Sequence, residues 1–509
     1  MTDWMHFKSG TDIRGVALPG VPGEPLDLTD EVVERMAAAF ACRLAEKSGV
    51  APSALTLSVG RDSRLSGPRL RDAVVRALTA LGMTVADCGL CSTPAMFMTT
   101  VKPVLNGRPC DGAIQLTASH HPSHRNGLKF FLPSGGLSGE EITAILHRAE
   151  EGGFPAAPGG SCTPVDFMRT YAADLRQMIV DGVNAGEQPL AGFHVVVDAG
   201  NGVGGFYAAE VLAPLGADVS GSQFLDPDGR FPNHIPNPEN PDAMASASAA
   251  TLAAHADLGV IFDTDVDRAG LVGADGREIN RNRLIALAAT VALADHPGGT
   301  VVTDSVTSDG LKVFLEETLG GHHCRFKRGY RNVIDEAMRL CAAGVDAPLA
   351  IETSGHAALK ENYFLDDGAY LATRLIIEAA KCRRAGTTLE SRIAALPEPA
   401  EGVELRFAIT AADFRTAGQR VLDGLESLAA ERGWKIAEDS REGVRLSFGK
   451  DEGDGWLLLR LSVHDPVLPL NIESDRAGGC ALIAAAIAPY MRAQTDIDCS
   501  RFDAYLNDR

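Results

Sequence analysis

The 509-residue sequence lacks features of membrane and nucleic-acid-binding proteins. It has no apolar run near the roughly 20 residues that a membrane-spanning helix needs. Its first residues do not pair a basic segment with an apolar one, as a secretory signal peptide does. Positive charge is scarce, because 47 Lys and Arg residues stand against 67 Asp and Glu residues, a formal net charge of −20. No basic face for nucleic acid is visible. We therefore expect a cytoplasmic protein that binds neither membranes nor nucleic acid.

Cysteine is present but carries no clear pattern. The ten cysteines are scattered through the chain and do not have the spacing of a small disulfide framework. One CxxC motif joins Cys88 and Cys91, and no second CxxC accompanies it to complete a zinc site. A redox pair is an open alternative, but cysteines of a core or loop explain the motif more simply.

The composition is that of a globular protein, with 45% hydrophobic and 22% charged residues. The length suggests about three or four domains. Apolar strands, glycine-containing or polar turns and amphipathic helices follow one another repeatedly. This alternation predicts βαβ units with mainly parallel sheets, so the fold class is α/β.

Changes in composition and pattern suggest where the domains meet. A glycine- and proline-rich stretch at residues 151–164 resembles a linker. Further breaks fall near residues 276–280 and 395–402. After the last break, alternating apolar residues predict antiparallel strands with helices between and after them, hence an α+β domain. The predicted domains span residues 1–160, 161–278, 279–398 and 399–509.

A serine-containing loop is the first candidate for chemistry. Ser119 follows an apolar strand, stands beside His120 and precedes Lys129, so it can act as a covalent carrier. A polar, solvated loop is an equal alternative on local chemistry alone. Zinc bound by His120, His121 and His124 is disfavoured, because adjacent histidines point apart.

An acidic loop is the second candidate. Asp263, Asp265 and Asp267 follow an apolar strand, and carboxylates at alternate positions can converge on Mg²⁺. A calcium-binding EF-hand loop is excluded, because Arg268 and Ala274 occupy the positions of its glycine and glutamate. Direct phosphorylation of Asp263, as in an aspartyl phosphatase, stays open on spacing alone.

A glycine-rich segment raises a different possibility. Residues 200–205 fit GxGxxG after a strand, with Asp226 near the distance expected of a ribose-binding residue. A dinucleotide oxidoreductase would use such a segment. Asp226 lies in a turn-like stretch instead of ending a strand, so a structural glycine turn is the better interpretation.

Two later loops carry groups suited to sugar phosphates. Glu352, Ser354 and His356 alternate across a loop after an apolar strand and offer partners for sugar hydroxyls. A helix cap with a surface acidic residue is an equal alternative. Arg460 ends another strand and can bind phosphate oxygens in bidentate fashion, although a lone arginine is more often a surface residue.

Taken in order, these segments resemble the α-D-phosphohexomutase superfamily, which includes phosphoglucomutases, phosphomannomutases and phosphoglucosamine mutases. The resemblance covers nearly the whole chain. The matching segments are residues 7–17, 59–67, 89–97, 117–129, 195–205, 228–241, 263–268, 352–356 and 364–370. It implies three similar α/β domains and a smaller C-terminal α+β domain around a central cleft.

The resemblance also implies roles for individual residues. Ser119 would carry the phosphoryl group. Mg²⁺ would be held by a phosphoserine oxygen and by Asp263, Asp265 and Asp267. The transferring phosphate would be surrounded by Arg14, His120, Lys129 and Arg268. The sugar would be bound by Glu352, Ser354 and His356.

The implied activity is interconversion of hexose 1-phosphate and hexose 6-phosphate, with glucose or mannose as the sugar. The phosphoserine would donate to the sugar phosphate, and the resulting bisphosphate would return its other phosphate to the serine. Hexose 1,6-bisphosphate would also act as the activator. We expect a monomer or homodimer.

The C-terminal phosphate loop departs from the family pattern. Arg460, Ser462 and Pro466 correspond to it, but Val463 replaces a glycine and His464 a hydroxyl donor. We predict that Arg460, Ser462 and His464 bind phosphate, with an affinity that depends on pH through the histidine.

The third domain departs as well. Where many members have a histidine after glycine, this chain has Tyr330 and Arg331, so Arg331 is predicted to be an added phosphate contact. These changes keep two alternative enzymes open, a hexose-1,6-bisphosphate synthase with a separate phosphoryl donor and a phosphoglucosamine mutase. A non-catalytic sugar-phosphate sensor is a further alternative.

Overall fold

The computed structural model describes residues 3–462 and 465–508. The chain divides into two compact units. Unit 1 comprises Met1–Asn280 and Ser354–Arg392, and unit 2 comprises Arg281–Thr353 and Ile393–Arg509.

Strands and helices alternate along the described chain, as the sequence pattern predicts. The strands are β1 (Lys8–Ser9), β2 (Asp12–Val16), β3 (Thr56–Arg61), β4 (Thr84–Leu90), β5 (Gly112–Leu116), β6 (Arg125–Leu132), β7 (Gly135–Gly136), β8 (Ser161–Pro164), β9 (Val195–Asp198), β10 (Leu258–Phe262), β11 (Ala269–Gly273), β12 (Glu278–Ile279), β13 (Thr300–Thr303), β14 (His322–Arg325), β15 (Leu349–Ile351), β16 (Ala357–Leu359), β17 (Leu365–Asp366), β18 (Glu401–Ile409), β19 (Lys435–Ile436), β20 (Val444–Phe448), β21 (Gly455–Leu459), β22 (Val467–Ser474) and β23 (Ile497–Asp498). The α-helices are α1 (Asp30–Ser48), α2 (Gly67–Ala80), α3 (Thr93–Met98), α4 (Gly139–Glu151), α5 (Phe167–Val183), α6 (Pro241–Ala253), α7 (Arg281–Asp295), α8 (Asp309–Val313), α9 (Tyr330–Ala342), α10 (Gly368–Arg384), α11 (Phe414–Arg432), α12 (Gly479–Arg492) and α13 (Ser500–Asn507).

The first sheet of unit 1 is mixed and has the strand order β1-β2-β6-β5-β3-β4-β8, with β7 paired to β6. Strand β3 is parallel to β4 and β5, whereas β6 is antiparallel to β5 and β2. Helices α1, α2 and α4 share one buried apolar cluster with these strands, in which Leu57, Val59 and Ile114 are fully buried. The serine loop, residues 117–124, joins the end of β5 to the start of β6.

The prediction of a linker at residues 151–164 is wrong for the last four of these residues. Its last four residues form β8, which pairs in parallel with β4. Ser161 N–H donates to Met83 O at 3.0 Å, and Val165 N–H to Asp87 O at 2.8 Å. Pairing with an exposed strand edge satisfies backbone groups that local composition cannot foresee.

The second sheet of unit 1 has the order β12-β11-β10-β9. Strands β9 and β10 are parallel, and β10 and β11 are antiparallel. The acidic loop joins β10 to β11. Helix α10 packs on α5, where the Ile377 side chain fills the space beside Gly182. Strands β16 and β17 form an antiparallel pair in the same unit.

The glycine-rich segment is used for close packing. A Cβ at Gly202 would lie 2.5 Å from Thr264 O, and one at Gly205 would lie 2.2 Å from Leu225 O. Gly200 has a φ of +51°. Because backbone already fills the space beside these glycines, the structure favours the structural turn over a dinucleotide site.

Unit 2 contains a parallel set with the order β14-β13-β15 and a separate antiparallel sheet with the order β19-β20-β21-β22-β18-β23. Helices α11, α12 and α13 cover the antiparallel sheet and share its apolar core. The predicted α/β class with a C-terminal α+β domain is confirmed. The domain bounds stay a prediction.

No helix in the described residues is long and apolar enough to cross a membrane. Cys88 and Cys91 are free thiols, and both are buried. Burial raises the pKa of each thiol above its ordinary value, so neither forms a thiolate readily.

Candidate active site

The serine loop holds Ser119 in an unusual backbone conformation. Ser119 has a φ of +49°, in the left-handed region, and is 4% exposed. Its N–H donates to the Thr117 hydroxyl at 2.8 Å. Strand β2 approaches closely beside the loop, because a Cβ at Gly127 would lie 2.1 Å from Ile13 O. The loop therefore depends on glycine at position 127 and on a local hydrogen bond to hold the serine.

The Ser119 hydroxyl lies between a carboxylate and a guanidinium. Its Oγ donates to Asp263 Oδ2 at 3.1 Å and accepts from Arg268 Nη2 at 3.0 Å. His120 Nδ1 lies 3.4 Å from the same oxygen. A charged donor, a charged acceptor and an imidazole thus meet at one buried hydroxyl.

Three carboxylates lie together in the acidic loop after β10. The Asp263, Asp265 and Asp267 side chains are at most 2% exposed, and one oxygen from each lies within 4.8 Å of the others. The Oδ1 atoms of Asp265 and Asp267 have no hydrogen-bond donor among the described residues. Buried carboxylate oxygens without donors fit a hard divalent cation. The group can hold a metal ion.

Burial and mutual repulsion shape the acidity of this cluster. Burial, followed by the charges of Asp267 and Asp265, raises the pKa of Asp263 well above its ordinary value. Burial also opposes ionisation of Asp267, but the charges of Lys129 and Arg268 outweigh it and lower the pKa of that carboxyl. A cation would relieve the repulsion that is left.

The predicted cationic residues converge on the same place. Lys129 Nζ lies 2.5 Å from Asp267 Oδ2 and 3.6 Å from Asp265 Oδ2. Arg268 Nε lies 3.4 Å from Asp263 Oδ2. Arg14 donates to Thr117 O at 3.1 Å, two residues before the serine. Unit 1 thus brings Arg14, Lys129 and Arg268 to the serine and acidic loops.

Two histidines of the serine loop, His120 and His121, have pKa values below the ordinary one and are neutral. The Arg268 charge, followed by burial, lowers the pKa of His120 far below its usual value, and the two side chains are in direct contact through His120 Nδ1. Burial, followed by nearby arginines, lowers the pKa of His121 to about 3. His124 Nε2 lies 3.1 Å from Glu24. These partners give the histidines other roles than a shared zinc site.

Ser354 and His356 lie beside the acidic loop in unit 1. His356 forms an isolated antiparallel bridge with Arg268. Its Nε2 lies 3.8 Å from Asp267 Oδ1, and its Nδ1 lies 2.9 Å from the Ser354 hydroxyl. Sequence reasoning associated these residues with a sugar, and their position next to the carboxylates was not foreseen.

Residues without a predicted role also support this site. Thr93, at the start of α3, donates its hydroxyl to Asp265 Oδ2 at 2.5 Å and its N–H to Asp265 O at 2.9 Å. Arg268 Nη1 lies 3.3 Å from Asn237 Oδ1 and 3.6 Å from Glu239 Oε2. Thr93, Asn237 and Glu239 lie in segments that carry the family resemblance, and this resemblance was their only sequence signal.

The other predicted sugar and phosphate residues lie in unit 2. Glu352 follows β15, is 3% exposed, and accepts from Gly329 N–H at 2.6 Å. Arg331 Nε lies 2.8 Å from Asp335, one helical turn away. Within the described parts of unit 2, Glu352 is thus tied to the loop that precedes Arg331.

Arg460 follows β21 and faces an acidic residue that the sequence did not single out. Arg460 is 9% exposed, its Nη1 lies 4.0 Å from Glu442 Oε1, and its Nε has no hydrogen-bond acceptor among the described residues. Glu442 Oε2 accepts from the Ser305 hydroxyl at 2.6 Å. Ser462 N–H donates to Val467 O at 3.0 Å. His464 lies outside the described residues.

Comparison with protein families matches most of the chain. Residues 8–155 match the phosphoglucomutase/phosphomannomutase alpha/beta/alpha domain I model. Residues 169–276 match the domain II model, and residues 280–400 match the domain III model.

Individual proteins are similar over nearly the full length. A phosphoglucomutase from Neisseria gonorrhoeae is 34% identical over 469 residues, 91% of this chain and 92% of the relative. A phosphomannomutase/phosphoglucomutase from Pseudomonas putida is 32% identical over 421 residues, 82% of this chain and 83% of the relative.

A solved structure is similar as well. The crystal structure of a phosphoglucomutase/phosphomannomutase family protein from Burkholderia thailandensis has a TM-score of 0.79 and 29% identity, covering 97% of this chain and 98% of that one. The chain therefore belongs to the phosphoglucomutase/phosphomannomutase family of the α-D-phosphohexomutase superfamily and is a phosphotransferase of the mutase type.

Proposed function

We propose that this enzyme interconverts hexose 1-phosphates and hexose 6-phosphates, with glucose or mannose as the sugar, through phosphorylated Ser119. One observation carries the proposal. The buried Ser119 hydroxyl lies 3.1 Å from Asp263 and 3.0 Å from Arg268, beside a cluster of three carboxylates. The names of the relatives, phosphoglucomutase and phosphomannomutase/phosphoglucomutase, support the two sugars.

Phosphoryl transfer needs accurate positioning and positive charge around the moving group, and little covalent chemistry from the protein. Arg268 already contacts the Ser119 oxygen, and Lys129 lies on the carboxylate cluster next to it. Both are buried, so their charges act in a medium of low polarity. We assign Arg268, Lys129, Arg14 and neutral His120 to the oxygens of the transferring phosphate.

The cation is proposed to be Mg²⁺, held by Asp263, Asp265, Asp267 and an oxygen of phosphorylated Ser119. When bound, Mg²⁺ supplies positive charge to the phosphoryl oxygens. In the unphosphorylated enzyme, Ser119 Oγ donates a hydrogen bond to Asp263 Oδ2 at an oxygen–oxygen distance of 3.1 Å, which orients the hydroxyl.

The sugar is proposed to bind through its hydroxyls to Glu352, Ser354 and His356. Its other phosphate is assigned to Arg331, Arg460, Ser462 and His464. Arg460 supports this assignment, because its buried Nε has no acceptor among the described residues and an anion would provide one.

Hexose 1,6-bisphosphate is proposed as the activator, because it can phosphorylate Ser119 and leave a hexose monophosphate. A cytoplasmic monomer or homodimer stays a prediction.

The decisive experiment follows phosphorus NMR of the enzyme with Mg²⁺, catalytic glucose 1,6-bisphosphate and glucose 1-phosphate, beside matched mannose and glucosamine samples. We expect a hexose 6-phosphate from glucose or mannose. Ser119→Ala should abolish this conversion, whereas Ser123→Ala in the same loop should retain it.

Other outcomes would redirect the assignment. Conversion by Ser119→Ala at the wild-type rate would overturn the phosphoserine. Conversion of the glucosamine phosphate alone would identify a phosphoglucosamine mutase. Stoichiometric release of bisphosphate with negligible isomerisation, once a phosphoryl donor is supplied, would identify a hexose-1,6-bisphosphate synthase.

A further inference from the structure

Arg64 is a fully buried arginine beneath the serine loop. It lies between β3 and α2, and its side chain is 0% exposed. Its Nη1 and Nη2 groups donate four hydrogen bonds of 2.5–2.9 Å to backbone carbonyls, three in the serine loop and one at the first residue of β6. The acceptors are the carbonyls of Ser119, His121, Pro122 and Arg125. The remaining N–H, at Nε, donates to Asp62 Oδ2 at 3.2 Å. All five guanidinium N–H groups therefore have an acceptor.

These bonds shape the loop. The Pro122 carbonyl has a second donor, Arg125 N–H at 3.0 Å. Loss of the Arg64 donor from the other carbonyls would be costly in a buried place, and Ser119 itself stands at a φ of +49°. One rigid, planar guanidinium satisfies all four carbonyls at once, which an ammonium group with three donors cannot do.

Arg64 is itself held in place by a second set of bonds. Asp62 accepts from Arg64 N–H at 2.9 Å and from the Thr117 hydroxyl at 2.7 Å. The Thr117 hydroxyl in turn accepts from Ser119 N–H at 2.8 Å. A closed ring of contacts therefore runs from the guanidinium through Asp62 and Thr117 to the serine and back.

The loop that contains Gly229 and Phe231 covers the guanidinium. The Phe231 ring lies over Arg64, with its centroid 5.3 Å from Cζ. Close to it, a Cβ at Gly229 would lie 2.5 Å from Leu65 N and 2.6 Å from Arg64 Cα. The backbone at Arg64 and Leu65 thus packs directly against the backbone at Gly229, and the Phe231 ring covers the guanidinium.

We propose that Arg64 is a positioning residue for phosphoryl transfer, which aims the Ser119 oxygen by fixing the carbonyls of the serine loop. This inference rests on the function proposed for Ser119. Arg64 contacts the carbonyl of Ser119 and not its hydroxyl, so it acts through the backbone. Without it the serine loop would relax from its left-handed conformation and the phosphoserine would lose its alignment with the acceptor hydroxyl.

Loss of alignment has a distinct chemical consequence. A misaligned phosphoserine transfers more slowly to sugar and reacts more often with water. In that side reaction the water oxygen bonds to phosphorus, the bond between phosphorus and Ser119 Oγ breaks, and Ser119 recovers a proton. The product is inorganic phosphate, which productive turnover does not release.

The test compares Arg64→Ala and Arg64→Lys with the wild type, each with Mg²⁺ and activator. We expect kcat of Arg64→Ala to fall about 100-fold, the order of loss caused by a small misplacement, while KM changes less than about threefold. Inorganic phosphate released per turnover should rise. Methylguanidinium at millimolar concentration should restore part of kcat and lower phosphate release, and Arg64→Lys should be intermediate.

Arg445 is the matched control. It is also a buried arginine that donates to backbone carbonyls, those of Ser305 and Thr307, and its Cζ lies 3.6 Å from the centroid of the Trp456 ring. Arg445→Lys should lower thermal stability as Arg64→Lys does, but should not change phosphate release per turnover.

The outcomes are separable. If Arg64→Ala does not fold, Arg64→Lys decides the question. A folded Arg64→Lys variant with wild-type kcat and phosphate release would overturn the inference, as would methylguanidinium that raises stability without raising kcat. Failure of the proposed function would appear differently, as wild-type enzyme that never carries phosphate on Ser119.

Discussion

At the scale of single residues, the acidic loop combines three buried carboxylates with two neighbouring cations. Lys129 and Arg268 offset two of the negative charges of the loop, and two carboxylate oxygens lack a donor among the described residues. Without a bound cation, the cluster therefore lowers the free energy of unfolding, because like charges in a buried site repel.

The effect of the Asp265→Asn substitution on thermal stability should have opposite signs in metal-free and metal-loaded protein. Without metal it removes one repelling charge, so its midpoint of thermal unfolding should exceed that of the wild type. With millimolar Mg²⁺ the wild type should gain stability through binding, and the variant should gain little.

Thermal unfolding with and without Mg²⁺ measures both effects. Asp451→Asn, an exposed carboxylate in unit 2, serves as the charge-matched control and should respond to Mg²⁺ as the wild type does. An Asp265→Asn variant that is stabilised by Mg²⁺ as strongly as the wild type would contradict the metal site.

At the scale of secondary-structure elements, the antiparallel sheet of unit 2 carries a buried acid. Glu473 on β22 accepts from Trp456 Nε1–H on β21 at 3.1 Å. Burial raises the pKa of Glu473 to about 7, although the nearby Arg445 charge acts in the opposite direction. Asp309 raises this pKa further, and Arg325 lowers it.

The raised pKa makes the contribution of Glu473 to stability dependent on pH. The pKa of Glu473 is higher in the folded state than its unfolded value of 4.5, so folding stability is greatest below pH 4.5, where the carboxyl is protonated in both states. Stability falls as the pH rises from 4.5 towards 7, because the unfolded state ionises first. Glu473→Gln, which still accepts from Trp456, should therefore match the wild type in stability below pH 4.5 and exceed it above pH 7, by about 3 kcal/mol at most.

Thermal unfolding at pH 5 and pH 8.5 tests this expectation. Glu452→Gln changes an exposed residue in the short 3₁₀ helix before β21, and its stability relative to the wild type should not differ between the two pH values. A Glu473→Gln variant less stable than the wild type at pH 8.5 would show that the ionised carboxylate is bound favourably in the native sheet.

At the scale of the whole molecule, the chain passes from one unit to the other three times, at residues 280–281, 353–354 and 392–393. Unit 1 thus depends on α10, which comes from much later in the chain. The Tyr207 hydroxyl lies 2.8 Å from the Thr373 hydroxyl, and the Tyr171 hydroxyl donates to Asp367 at 2.5 Å.

A fragment of residues 1–280 should therefore fail to unfold cooperatively, because it exposes the face of α5 that α10 covers. Residues 1–280 joined by a flexible linker to residues 354–392 restore all of unit 1 and should show a cooperative transition in circular dichroism. Cooperative unfolding of residues 1–280 alone would show that α10 is dispensable for the core of unit 1.

Much of the fold and part of the candidate site follow from local pattern. Strands that end in polar loops predicted an α/β chain, and alternating apolar residues after position 402 predicted the antiparallel sheet that β18, β20, β21 and β22 form. Ser119 and the acidic loop were identifiable because each follows an apolar strand directly. Residues 161–164 were predicted as a linker, because pairing with β4 depends on a partner far along the chain.

By itself, the sequence determined the family and the α/β class, and it predicted which serine, carboxylate and cationic residues form the candidate site, since these depend on residue type and order. Only the tertiary structure decided that His120 is neutral beside Arg268, that Thr93 supports Asp265, and that Arg64 holds the serine loop. Each of these depends on hydrogen bonds or charges between residues 55 or more positions apart, which arise from packing of separate elements and leave no periodic trace in the chain.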